Sequence, residues 1–196
     1  MRLKHLVASF VVATVSQWHP ALSAQELGLA STTYSTATPS PAEVLGYPIA
    51  SRISSPDAIE HYFNQLAEQF PEQVRMIHYG QSWEGRNLYV IALSSAANMK
   101  DFEAFQRGMQ QLSAADTTSE REAQQLINTL PASIWLSYGV HGNEISSPEA
   151  ALLTAYHLLA ATDEQTQGYL NNTIVFIDPL QNPDGRARFV SRYYMT

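Results

Sequence analysis

Ser133-Ile-Trp-Leu-Ser-Tyr-Gly-Val-His-Gly-Asn-Glu-Ile-Ser-Ser-Pro-Glu-Ala-Ala-Leu-Leu-Thr-Ala-Tyr-His-Leu-Leu-Ala160 reads as a buried strand, a tight polar turn and a helix. Ile134 to Tyr138 is an apolar and aromatic run of strand length. Gly139 and Gly142 free the backbone on either side of His141. Ser147 suits a helix N-cap, and Pro148 suits the first helical position, where a missing N–H costs nothing. Leu152, Leu153, Tyr156, Leu159 and Ala160 then recur at helical spacing. The turn thus lies where a strand's carboxyl end meets a helix start, the place where open α/β sheets hold their ligands. His141 and Glu144 sit in it, three positions apart.

Upstream, Ser55 to Phe70 is predicted as a helix capped by Ser55 and opened by Pro56, with Ile59, Tyr62, Phe63, Leu66, Ala67 and Phe70 on one face. Val74–Tyr79 and Leu88–Leu93 read as strands joined by the loop Gly80-Gln-Ser-Trp-Glu-Gly-Arg-Asn87. Met99 to Leu112 has a helical apolar face weakened by Gly108. Ser119 and Glu122 form a capping box for a further helix that Pro131 ends. Downstream, Asp163 to Asn172 reads as a polar connection, and Thr173 to Ile177 as a buried parallel strand. Asp178-Pro-Leu-Gln-Asn-Pro-Asp-Gly185 reads as an irregular loop, and Arg186 to Thr196 as a basic, aromatic stretch without a stop signal. Strands alternating with helices predict an α/β domain over 44–196: a partly parallel mixed sheet with helices on both faces and an antiparallel hairpin at one side. With no helix seen after the last strand, the reading expects the front part of a longer protein.

The chain has 196 residues, with 11 Lys plus Arg against 18 Asp plus Glu and a net charge of −7. Without a basic patch, nucleic acid is not an expected partner. The absence of cysteine removes disulfides and thiolate metal sites, so a metal would have to use imidazole and carboxylate. Arg2 and Lys4, the apolar run Leu6–Val15 and the small residues Ala21-Leu-Ser-Ala24 predict a signal peptide over 1–24, cleaved near Ser23 or Ala24. The apolar run is too short to span a bilayer. A secreted or periplasmic protein with no membrane span in its mature chain is expected. Residues 25–43, rich in Ser, Thr, Ala and Pro, predict a flexible leader.

A zinc ion accepts histidine nitrogen and carboxylate oxygen, and a catalytic site takes three protein ligands with one position open to water. His141 and Glu144 could supply two. Among the six histidines only His141 has a Glu three positions on. The spacing alone suits equally a surface turn whose Glu144 merely favours the dipole of the helix that follows.

Gly139-Val-His141-Gly-Asn-Glu144 followed by Ser147-Pro-Glu-Ala resembles the first zinc-ligand motif of the zinc carboxypeptidases, the carboxypeptidase A-like metallopeptidases. Three further pieces occur in that family's order: the helix Ser55–Phe70, the hairpin signature Gly80-Gln-Ser82-Trp-Glu-Gly-Arg86, and Asn182-Pro-Asp-Gly185 after a strand. The resemblance covers roughly Val44 to Val190. It implies Zn2+ held by His141 and Glu144, and a secreted metallocarboxypeptidase that hydrolyses C-terminal bonds of a peptide or protein substrate by zinc-activated water. It also implies that the third-ligand His, the general-base Glu, the carbonyl-polarising arginine and the carboxylate-binding Asn-Arg pair lie beyond Thr196, so this segment alone is expected to be inactive. An amidase trimming peptidoglycan stem peptides, an aspartoacylase-like deacylase or a non-catalytic relative would share the scaffold. His157 is expected to be a structural helix residue; Arg186, Arg188 and Arg192 to be solvated or ion-paired; Asn182 and Asp184 to shape their loop; Glu84 and Arg86 to fix the hairpin. Trp83, Trp135 and Tyr138 are expected in or at the edge of the core.

Overall fold

The computed structural model describes residues 32–195. The predicted signal peptide, and the leader as far as residue 31, lie outside the described residues. In chain order the elements are α1 Pro41–Leu45, α2 Pro56–Gln69, β1 Val74–Gln81, β2 Asn87–Leu93, α3 Ala96–Lys100, α4 Phe102–Ser113, α5 Glu120–Thr129, β3 Ala132–Ser137, α6 Ser146–Ala160, α7 Glu164–Asn172, β4 Thr173–Asp178 and α8 Pro183–Met195. The sheet runs β1-β2-β4-β3. β1 and β2 form an antiparallel hairpin, β2 and β4 are antiparallel, and β3 and β4 are parallel with Ile134 opposite Val175. The mixed α/β sheet is therefore as expected.

Apolar alternation on the strands sorts the core into two layers. Ile91, Leu93, Val175 and Ile177 pack with Ile59, Phe63, Leu66, Leu152 and Ala155 of α2 and α6. Ala92, Ile174 and Phe176 face the other way, onto Met99, Phe102 and Phe105 of α3 and α4. Helices thus cover both faces. The single helix expected over Met99–Leu112 is two: Ser95 caps α3, and the chain breaks at Asp101 before α4 begins.

Four expectations are corrected. The connection Asp163–Asn172 is the helix α7, capped by the Asp163 side chain, which accepts from the Thr166 amide. The stretch after Ile177 is not left without a helix, because α8 starts inside the Asn-Pro-Asp-Gly segment. Asn182 acts as its cap, its Oδ1 accepting from the Gly185 amide at 2.8 Å, and Pro183 takes the first position. Residues 32–43 are tied down rather than free: Ser35 N donates to Ala160 O, Tyr34 packs on Tyr156 and His157, and a Ser40–Glu43 capping box starts α1. Finally, β3 is not buried. It lies at the sheet edge with Ile134 48% and Trp135 55% exposed, although Trp135 stacks on Phe176.

Among the described residues nothing pairs with the outer edge of β3. An unpaired edge carrying apolar side chains on both faces templates association with other chains. The 196-residue chain is expected to self-associate through this edge, and Ile134→Lys to reduce it. Light scattering at matched concentration checks this; equal scattering from both proteins would exclude β3 as the sticky edge.

Candidate metal-binding turn

The backbone between β3 and α6 is held at several points. Gly139 turns the chain with φ 65°, a left-handed conformation that suits glycine. Its amide donates to Ser147 Oγ at 2.9 Å. Ser147 is thus not the N-cap that the sequence predicted. α6 begins two residues earlier, at Ser146, Ile145 stands at its N-cap without a side-chain cap, and the Ser147 hydroxyl serves the turn instead. Glu144 N donates to His141 O at 3.2 Å, closing the bend.

The segment after β4 grips this turn along its length. Gln181 N donates to Tyr138 O and Asn182 N to Gly139 O, while Asn182 Nδ2 donates to Val140 O at 3.1 Å. Gly142 is buried against Gly185 so closely that a Cβ there would fall within 3.0 Å of the Gly185 carbonyl group and of the Arg186 amide nitrogen. Gly142 is glycine for this backbone approach, not for a left-handed φ. Asn182 therefore does more than shape its own loop: it spans two loops and braces the backbone beside His141.

The hairpin loop braces α8 in turn. Asp184 Oδ1 accepts from Ser82 Oγ and Arg86 Nη1, both at 2.7 Å, and Oδ2 accepts from the Glu84 amide at 3.0 Å. Burial pushes the Asp184 carboxyl up, but these three hydrogen bonds outweigh it and hold the group below the usual carboxylate range. Glu84 also pairs with Arg86 and Arg188. Arg86 and Glu84 thus fasten the hairpin to the start of α8 as well as fixing the hairpin itself. Trp83, expected near the core, is 98% exposed at the loop tip.

His141 and Glu144 are both exposed on the turn. Among the described residues neither side chain enters a hydrogen bond or an ion pair. An imidazole nitrogen and a carboxylate oxygen, free and on one bend, suit a zinc ion in kind. Two donors are fewer than the three protein ligands of a catalytic site, and no group of three His, Cys, Asp or Glu that could hold a metal occurs among the described residues. His157 is remote from that chemistry: its Nδ1 meets Tyr34 OH at 3.1 Å, and burial pushes its pKa down.

Arg186 is ion-paired, one of its two expected states, but its full burial and its partner are not in the sequence reading, and neither is the contact between Asp178 and Tyr79. Arg186 is fully buried and paired with Glu149 at 2.9 Å. The signal was Glu149 itself, a charge on the apolar stripe, three residues before Leu152. Asp178, at the carboxyl end of β4, is buried, and a bulge between His78 and Gly80 brings Tyr79 OH to within 3.1 Å of its Oδ2. Burial raises the Asp178 carboxyl, with hydrogen bonds from Gln181 and Tyr79 opposing, and its Oδ1 has no hydrogen-bond partner among the described residues. Tyr79, by burial and then by the Asp178 charge, is pushed up to about 12.

The zinc carboxypeptidase family model matches residues 59–194, which takes in the hairpin, the turn and the Asn-Pro-Asp-Gly segment. The chain belongs to the zinc carboxypeptidase family. Mouse (Mus musculus) carboxypeptidase A4 is 27% identical over 131 residues, 66% of this chain and 24% of the relative. Two solved structures share the fold. Thrombin activatable fibrinolysis inhibitor aligns with a TM-score of 0.53 at 19% identity, covering 82% of this chain and 31% of its own. Carboxypeptidase A from Helicoverpa armigera gives 0.52 at 21%, covering 85% and 32%. This zinc carboxypeptidase chain therefore spans about a quarter to a third of the length of these relatives.

Proposed function

We propose that the full-length protein is a secreted zinc metallocarboxypeptidase that removes C-terminal residues from peptides, with His141 and Glu144 as two of its zinc ligands. The observation that carries this reading is the free imidazole and carboxylate on a turn that the Asn182–Arg186 segment grips at Gly139, Val140 and Gly142, in a chain of this family. Zinc, when bound, would polarise a carbonyl and acidify a water. The chain's own contribution is orientation. The Gln181 and Asn182 bonds fix the backbone on the strand side of His141, and the start of α6 follows directly after Glu144. Secretion rests on the predicted signal peptide, and the peptide or protein substrate on the family. Among the described residues no helix is long and apolar enough to cross a membrane.

Full-length protein should contain one zinc and release the C-terminal amino acid from a plain peptide, both lost in His141→Ala and Glu144→Ala. The loss in zinc affinity should exceed the roughly 10–100-fold typical of residues that only support a ligand. Zinc that persists in His141→Ala would contradict the ligand assignment. Cleavage of a peptidoglycan stem peptide with a plain peptide left intact would move the protein to the amidase reading. The segment 32–195 alone should be inactive, because two ligands do not complete a catalytic site.

A further inference from the structure

We propose that Arg186 is a positioning residue for the metal turn, tethering the first turn of α6 so that Glu144 keeps its approach to a bound ion. The inference rests on the zinc reading above. The guanidinium is 0% exposed and reaches acceptors on two separate elements. Nε donates to Ser54 O at 3.0 Å, Nη1 to Ile145 O at 3.1 Å and Nη2 to Glu149 Oε1 at 2.9 Å. Glu149 is saturated from the other side, accepting from the amide and the hydroxyl of Ser54 at 2.8 and 2.9 Å. The Ser54 hydroxyl accepts in turn from Tyr47 OH.

Ile145 is the residue next to Glu144 and the N-cap of α6, with no side-chain cap of its own. The Arg186 bond to its carbonyl therefore fixes the Ile145–Ser146 peptide unit, and with it the helix start that immediately follows Glu144. A buried ion pair can often be replaced by apolar residues without loss. What an apolar pair cannot do is bond the Ile145 carbonyl. A lysine cannot do it either while also meeting Ser54 O and Glu149, because it offers one nitrogen where arginine offers a planar fork.

The test uses full-length protein and measures the zinc dissociation constant by chelator competition together with the unfolding midpoint of the zinc-free form. Glu149→Leu/Arg186→Met removes the pair without stranding a charge, and Arg186→Lys keeps the charge beside Glu149. Both should weaken zinc binding about 10- to 100-fold, while the zinc-free midpoint of the double variant falls much less than that of Glu149→Ala. Tyr47→Phe, which cuts the far end of the same network, should leave zinc affinity within about threefold. Wild-type zinc affinity in the double variant, with binding that still depends on His141, overturns this inference and leaves the zinc reading standing. Zinc that survives His141→Ala overturns both.

Discussion

Gly142→Ala is expected to lower stability by at least about 2 kcal/mol and to abolish stoichiometric zinc binding by the full-length protein. Overpacking a tight contact commonly costs 1–3 kcal/mol because side chains can yield. Here the atoms in the way are backbone: the Gly185 carbonyl group and the Arg186 amide, all within 3.0 Å of the added methyl. One of two backbones must move. If α8 retreats, the bonds from Asn182 to Gly139 and Val140 break; if the turn retreats, His141 moves with it. Urea unfolding and zinc analysis check this. A variant as stable as the wild type with full zinc would mean that the Gly142–Gly185 approach is not what fixes the turn. Gly139→Ala should also destabilise, because its φ of 65° is left-handed.

The second large effect is expected at Glu149. Glu149→Ala leaves the Arg186 guanidinium at 0% exposure with no carboxylate. Breaking a buried pair from one side costs about 3–5 kcal/mol, because the remaining charge stays desolvated. Ser54 also loses the acceptor for its amide and hydroxyl, and a buried unpaired donor costs about 1–3 kcal/mol. The measured loss should fall nearer the first figure than the sum, since the loop before α2 can relax. Glu149→Leu/Arg186→Met should recover most of it. If Glu149→Ala is nearly neutral, water reaches the guanidinium and the pair is not desolvated as its burial implies.

The fold was legible where the signals were local. Ser55-Pro56 and the Ser119–Glu122 capping box mark helix starts in sequence, and α2 and α5 begin there. The same chemistry is present but masked at Asn182-Pro183, because Asn, Pro, Asp and Gly together read as a loop; the Asn182 Oδ1 bond from the Gly185 amide shows a cap. Asp163 was hidden in the same way by polar neighbours of α7.

Burial was not legible at β3. Ile134 and Trp135 have the composition of a central strand, but exposure is set by which strands lie alongside, and no residue of β3 encodes that. His141 and Glu144, the two candidate ligands, stand exposed on the turn where the sequence places them. The sequence suggests that the glycines beside them loosen the chain, whereas Gly142 tightens it by admitting a second backbone. That contact joins residues 43 positions apart and has no local signature.

The most direct measurement is a crystal structure of the zinc-loaded full-length protein with anomalous data at the zinc edge. The account predicts an ion with a ring nitrogen of His141 and a carboxylate oxygen of Glu144 each at about 2.0–2.2 Å, on a turn still bonded to Asn182. An ion coordinated elsewhere, with His141 and Glu144 both turned to solvent, would contradict it.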